Sequence, residues 1–220
     1  MEVQACFHAE TGTVSYLVSD PSDGVAAIID PVLDYEPASG RVSTDSADRL
    51  LAVLDEHKLR LDWLLETHLH ADHLSAARYL QSRCGGRIGI GAKVGLVLEH
   101  WRPLFGREDI EAGAFDREFE DGESFALGQL RVEVMHTPGH TPMCVSYRIG
   151  DAVFVGDTLF MPDLGTARTD FPGGDAATLY RAIGRLLDLP DATTIYVGHD
   201  YPPPEREPAW AASVAEQKVH

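Results

Sequence analysis

The sequence predicts an α/β protein in which two mixed β-sheets pack face to face with helices on the outside. Two observations carry this expectation. Strand-like runs followed by a helix-like run occur in the first half of the chain, and the same order returns in the second. Ligand-type side chains fall at the ends of strand-like runs in both halves, which places a site along one edge of such a sandwich. With 220 residues, 44% of them hydrophobic, the chain can bury the core of one large domain or at most two small ones.

Ala5 to His8, Val14 to Ser19 and Val25 to Asp30 read as three strands, broken at Thr11-Gly12 and at the turn-rich run from Asp20 to Gly24, which gives an antiparallel opening. Asp30-Pro31 closes the third strand; an aspartate bonding nearby backbone in a turn is preferred there to a catalytic one. Tyr35 to Thr44 is expected to be a polar loop. Leu50, Leu51, Val53 and Leu54 then form the stripe of a helix starting near Ser46. Leu61 to Leu65 is an apolar strand, Ala76 to Cys84 a helix stopped by Gly85-Gly86, and Ile88 to Ile90 a short strand. Between Lys93 and Glu120, Leu96, Val97 and Trp101 can share a helix face, while Arg102-Pro103 and Gly106 mark turns and His100 is a surface or cap residue.

Asp121-Gly122 opens the second half, with strands at Ser124 to Ala126, Leu130 to Met135, Cys144 to Ile149 and Ala152 to Val155. A helix over Gly174 to Leu189, striped by Leu179, Ile183, Leu186 and Leu187, precedes a last strand at Thr194 to Val197. Residues 1–201 are therefore expected to form the catalytic domain. Pro202-Pro203-Pro204 leads out of it, and Ala209 to His220 reads as a helix without a stop signal, as if the sequence were cut short.

A net charge of −17, from 35 acidic and 18 basic residues, argues against nucleic acid or an anionic membrane surface as partner. Cys6, Cys84 and Cys144 are odd in number and widely spaced, so a disulfide framework is not expected. The start lacks a basic region and an apolar core, and no apolar run approaches a membrane span, which gives the expectation of a cytoplasmic protein.

The densest chemistry lies in Thr67-His68-Leu69-His70-Ala71-Asp72-His73, directly after a strand. Imidazoles and carboxylates suit first-row metals, and they are rarely crowded unless a cation offsets their desolvation. Residues two apart in an extended segment share a face, so His68 and His70 can enter one cavity while Leu69 goes to the core. Asp72 and His73 approach where the chain turns. His140 follows Pro138-Gly139 in a tight loop, Asp157 follows Gly156, and His199 follows Gly198. Singly, these are a turn residue, a helix cap and a strand-end histidine; together they point to a shared metal site.

The motif His68-x-His70-x-Asp72-His73, followed by His140, Asp157 and His199, resembles the metallo-β-lactamase superfamily signature, which implies an αββα sandwich. The flanks of these ligands, together with the run from Gly165 to Gly174 and Gly198-His199-Asp200-Tyr201, resemble the persulfide dioxygenases, in the bacterial branch of β-lactamase-like hydrolase proteins. The resemblance implies oxidation of glutathione persulfide by O2 to sulfite and glutathione in sulfide detoxification. It implies one Fe(II) per chain on His68, His140 and Asp157, with three positions left for persulfide sulfur and O2. His70, Asp72, His73 and His199 then orient ligands and waters, or hold a second metal. Arg168 and Tyr201 match substrate-site positions, an ion pair of Arg168 with Asp170 or Asp163 being the equal alternative.

The family usually continues for several dozen residues beyond the His199 region, and Thr169 stands where several bacterial relatives carry Cys. The runner-up is a dinuclear zinc hydrolase of glyoxalase II type. Its usual aromatic is replaced by Ala71, and its basic C-terminal substrate segment is absent from the sequence. A non-enzymatic metal module ranks third. A homodimer and a rhodanese-type sulfur donor are open expectations for partners, and Cys144 is expected to pack near the His140 loop rather than act as a nucleophile.

Overall fold

The computed structural model describes residues 1–106 and 115–219. Its first sheet runs, in spatial order, through β1 (Glu2–His8), β2 (Thr13–Asp20), β3 (Val25–Ile29), β6 (Arg60–Leu65), β8 (Arg87–Gly91) and β9 (Arg117–Phe119). β1, β2 and β3 pair antiparallel as the sequence predicts, and β3, β6, β8 and β9 pair in parallel. The second sheet contains β10 (Ser124–Leu127), β11 (Leu130–His136), β12 (Val145–Ile149), β13 (Ala152–Phe154), β14 (Thr194–Tyr196) and β15 (Ala211–Ser213), all antiparallel except the β13–β14 pair.

The inner faces meet in one core. Val14, Tyr16, Val18, Ile29, Trp63 and Leu65 of the first sheet pack against Val132, Val134, Tyr147, Ile149 and Phe154 of the second. Along β2 the side chains alternate between this core and the outer face, where Leu17, Ile28, Leu64 and Ile88 bury Leu50 and Leu54 of α1 (Asp45–His57) and Leu80 of α2 (Ala77–Cys84). Both faces of these strands are covered, so all of β2 is buried. The outer face of the second sheet covers Leu186 of α4 (Ala176–Leu187) and Val214 of α5 (Val214–Gln217) with Val153, Val155, Ile195 and Val197. The α4 N-terminus is capped by Asp175, which accepts from the Thr178 backbone N–H.

Three sequence expectations change. The polar loop at Tyr35 to Thr44 is largely a hairpin, β4 (Val32–Glu36) and β5 (Arg41–Ser43), with β7 (Leu74–Ser75) on the other side of β4. Most of its residues are exposed, so no alternation of polarity marked it. Pro103 lies inside α3 (Val94–Phe105) rather than in a turn, and Gly106 caps that helix at φ +58°. Of its expected stripe, Val97 is buried and Trp101 partly so, whereas Leu96 is exposed. The remainder of the Lys93 to Glu120 reading includes 107–114, outside the described residues. Finally, the expected helix from Ala209 begins as a strand: Ala211–Ser213 pairs with β14 before the single turn α5, started by a Ser213–Glu216 capping box. His220 lies outside the described residues. Among the described residues no helix is long and apolar enough to cross a membrane.

Candidate metal centre

The chemistry-bearing residues gather at one edge of the sandwich, where β6, the β11–β12 loop, the end of β13 and the end of β14 meet. β6 ends at Leu65, and the chain then lays Glu66, Thr67 and His68 inward, all three buried. The β11–β12 loop brings His140, and the tight turn after β13 brings Asp157. Gly156 makes that turn possible: its φ is +51°, and a Cβ there would stand 2.3 Å from Thr67 Oγ1.

His68 Nε2 and His140 Nε2 lie 3.7 and 3.6 Å from the same oxygen, Asp157 Oδ2. The proton positions on both rings follow from their other nitrogens. His140 Nδ1–H donates to the Arg168 carbonyl at 2.8 Å. Thr67 Oγ1 gives its single proton to Asp30 Oδ2 at 2.8 Å and so accepts from His68 Nδ1–H at 3.0 Å. Burial, with His70 next to it, pushes the His68 pKa down to about 3, so the ring is neutral at ordinary pH. Three ligand-capable atoms therefore face one another, His68 Nε2 with no proton to share with the carboxylate. A cation is what such a set lacks, and the residues fit a metal ion.

His199 braces the set from behind. Its Nδ1 donates to Asp157 Oδ1 at 2.6 Å, and its Nε2 lies 2.8 Å from Asp72 Oδ2 and 3.0 Å from Thr13 Oγ1. Burial disfavours its charge, but Asp157 and Asp72 outweigh burial and raise the ring to about 9. For Asp157, burial pushes the carboxyl up, but the His199 ring bonded to it outweighs burial and holds it well below the usual range.

A second ligand-capable group, His70, Asp72 and His73, lies beside the first. His70 Nε2 is 3.2 Å from Asp30 and 3.1 Å from Glu66. Despite burial, these two carboxylates raise its pKa well above the ordinary value. Its Nδ1 and the Nε2 of His73 are buried without a hydrogen-bond partner among the described residues. The His70 and His73 rings stack at 4.2 Å, and burial with the neighbouring His70 takes His73 down to about 4.

Above the first group opens a cavity of about 520 Å³, lined by Asp72, His140, Asp157, Phe160, Arg168 and Tyr201, among others. Arg168 forms the ion pair with Asp170, at 2.5 and 2.6 Å, and still lines this cavity; Asp163 pairs with Arg206 instead. Tyr201 stacks on His199 at 5.6 Å. Cys144 is buried against Thr141, and burial pushes its thiol up to about 12, so it stays protonated.

Sequence reasoning missed the supports. Asp30 bonds backbone, as expected, but that of Thr67 across the sheet rather than its own turn, at 2.7 Å, and its φ of +48° is a strained conformation for a non-glycine residue. Glu66, an acidic residue at the end of an apolar strand, was the one sequence signal for the carboxylate pair that holds His70. Ser75 donates to its other oxygen. Thr13 gave no signal.

The model for "Metallo-beta-lactamase superfamily" matches residues 9–199. The chain is 49% identical to a protein named as a metallo-hydrolase from Burkholderia pseudomallei, over 99% of this chain and 78% of that one. It is 45% identical to "Glyoxylase B2" of Dictyostelium discoideum, over 96% and 74%. It is 31% identical to the human mitochondrial persulfide dioxygenase ETHE1, over 89% and 66%. It spans about half the length of curated β-lactamase hydrolase-like relatives. The crystal structure of ETHE1 from Myxococcus xanthus superposes with a TM-score of 0.81 at 33% identity, covering all of this chain and 83% of that one. Signature, two-sheet sandwich and clustered ligands agree with these likenesses, and the chain belongs to the metallo-beta-lactamase superfamily.

Proposed function

We propose that the protein is an iron-dependent persulfide dioxygenase, with one Fe(II) on His68, His140 and Asp157, acting on glutathione persulfide. The observation that carries this reading is the bonding of His199. Both of its nitrogens are engaged, and it ties up Asp157 Oδ1 and Asp72 Oδ2, so that Asp157 presents Oδ2 alone to the two histidines. A three-ligand face of this kind leaves positions for substrate sulfur and O2 on a redox-active ion. The likeness to ETHE1 in sequence and fold supports the same reading.

The chain's own contribution is positioning. Thr67 and the Arg168 carbonyl fix the proton positions of His68 and His140, and His199 keeps Asp157 ionised. Phe160 and Phe171 wall the cavity, while Arg168 and Tyr201 stand at its polar side as contacts for an anionic tripeptide. We assign the catalytic unit to 1–201, with Ala211–Ser213 beyond it adding an edge strand to the second sheet.

The unpartnered His70 Nδ1 and His73 Nε2 favour a second reading, a dinuclear zinc hydrolase of thioester substrates, and the likeness to glyoxylase B2 supports it. The test is paired: metal content of anaerobically purified protein, with O2 uptake on glutathione persulfide measured beside hydrolysis of lactoylglutathione. One iron with O2 uptake is expected. Two zincs with thioester turnover and no O2 uptake would establish the second reading.

A further inference from the structure

A second cavity, of about 490 Å³, meets the metal centre at His140. Its size is that of a small-molecule site, for which roughly 300–1,000 Å³ is usual. Leu69, Val97, Leu98, Trp101, Phe171 and Pro172 form its apolar walls, and among the described residues that line it there is no Asp, Glu, Lys or Arg. The cavity above the centre has the opposite character, with Asp72, Asp157 and Arg168 in its walls. Ala71, His140 and Phe171 line both, so the two cavities join at a member of the metal group. The Phe171 ring stands edge-on to His140 at 5.0 Å.

The apolar walls are anchored from beneath. Val94 and Val97 of α3 pack with Ile90 and Met143 in a small core of their own, and Leu69, Leu98 and Trp101 lie against it. The alternation of the ligand stretch predicts Leu69 in the core; it is instead half-buried, packed on this small core and lining the cavity. Leu98 and Trp101 are half-buried as well. Apolar surface is thus left open beside the metal position, and such surface marks a place where a ligand is bound.

We propose that this cavity is an apolar substrate subsite: it takes an alkyl or aryl group carried by the sulfur, so that the protein acts on persulfides of apolar thiols. This rests on the reading above, that a sulfur substrate reacts at His68, His140 and Asp157, and it widens the substrate class beyond glutathione. The charged ends of glutathione find no partner of opposite charge in the second cavity, and an unpaired charge is expensive to desolvate. A hydrocarbon group meets no such cost and gains from burial against Leu98 and Trp101. The overall change is the one proposed above: RSSH, O2 and water give RSH, sulfite and two protons, the S–S bond breaking as the outer sulfur is oxidised and O2 reduced.

The test needs no turnover. Unbranched alkanethiols from ethanethiol to hexanethiol, and 6-mercaptohexanoate, are titrated calorimetrically into zinc-loaded protein under anaerobic conditions. Each added methylene should tighten binding roughly two- to fourfold. The terminal carboxylate of 6-mercaptohexanoate should weaken binding about tenfold or more relative to hexanethiol. Leu98→Asp and Trp101→Ala should flatten the series with metal content unchanged, and in wild type nuclear Overhauser contacts should run from the hexanethiol chain to the Trp101 indole. Binding independent of chain length, equal binding of hexanethiol and 6-mercaptohexanoate, or an equally steep series in both variants would each overturn the proposal. O2 uptake by the iron-loaded protein separates the two levels of the reading. A steep series with no uptake on glutathione or hexyl persulfide refutes the dioxygenase and supports the subsite alone, whereas uptake on glutathione persulfide with a flat series refutes the subsite alone.

Discussion

Replacing Thr67 by Val removes one oxygen that performs two tasks. Its proton goes to Asp30 at 2.8 Å, and its lone pair takes the His68 Nδ1 proton at 3.0 Å, in a site where Thr67 is 1% exposed. The valine keeps the volume beside Gly156 but leaves a ring N–H and a carboxylate oxygen short of a partner. Each such loss costs about 1–3 kcal/mol, so the metal-free protein should lose about 2–6 kcal/mol. For a chain of this size that is a fall in Tm of roughly 4–24 °C. The bond also fixes which His68 nitrogen faces Asp157, and losing a support of that kind costs roughly 10–100-fold in metal affinity. Chelator competition measures the affinity, thermal melting of metal-free protein measures the stability, and Thr67→Ser, which keeps the hydroxyl, should restore most of both. Thr67→Val binding metal as tightly as wild type, with an unchanged melt, would refute the argument that Thr67 sets the His68 ring.

Asp157→Ala should lose iron and activity together, whereas His70→Ala should retain iron; metal analysis of both variants decides, and loss of metal in His70→Ala would make His70 a ligand. In metal-free protein the urea midpoint should peak at about pH 6.5, the unfolded histidine value. Above it, His199, raised to about 9 by Asp157 and Asp72 against the effect of burial, gives up its stabilising proton as pH climbs, and His70 acts in the same direction. Below it, burial keeps His68 and His73 neutral down to about 3 and about 4, so the unfolded chain takes up protons that the folded one refuses. A midpoint still rising at pH 9 would contradict this. Cys144→Ala should keep metal and most activity, and native Cys144 should resist iodoacetamide at neutral pH, because burial holds its thiol at about 12.

Much of the fold was legible because its strands are buried on one or both faces and its helices carry apolar stripes; β2, β6 and α4 emerge from such patterns. The exposed β4–β5 hairpin and the strand Ala211–Ser213 had no such pattern, since pairing with a neighbour rather than burial of side chains defines them. Pro103 misled because a proline inside a helix is usually excluded by its own backbone.

The sequence alone pointed to a cluster of seven ligand-type residues and to the superfamily that carries it, because ligand chemistry is written in residue type and local spacing. Only the tertiary structure decided how those seven divide. It joined His68 and His140 to Asp157, set His70 between Asp30 and Glu66, and spent both nitrogens of His199 on carboxylates. It also placed Thr67, Thr13 and Asp30 within hydrogen-bonding distance of His68, His199 and His70. A side chain's role at such a centre depends on which of its atoms faces the metal position and what binds the other, and that is set by contacts between segments far apart in the chain.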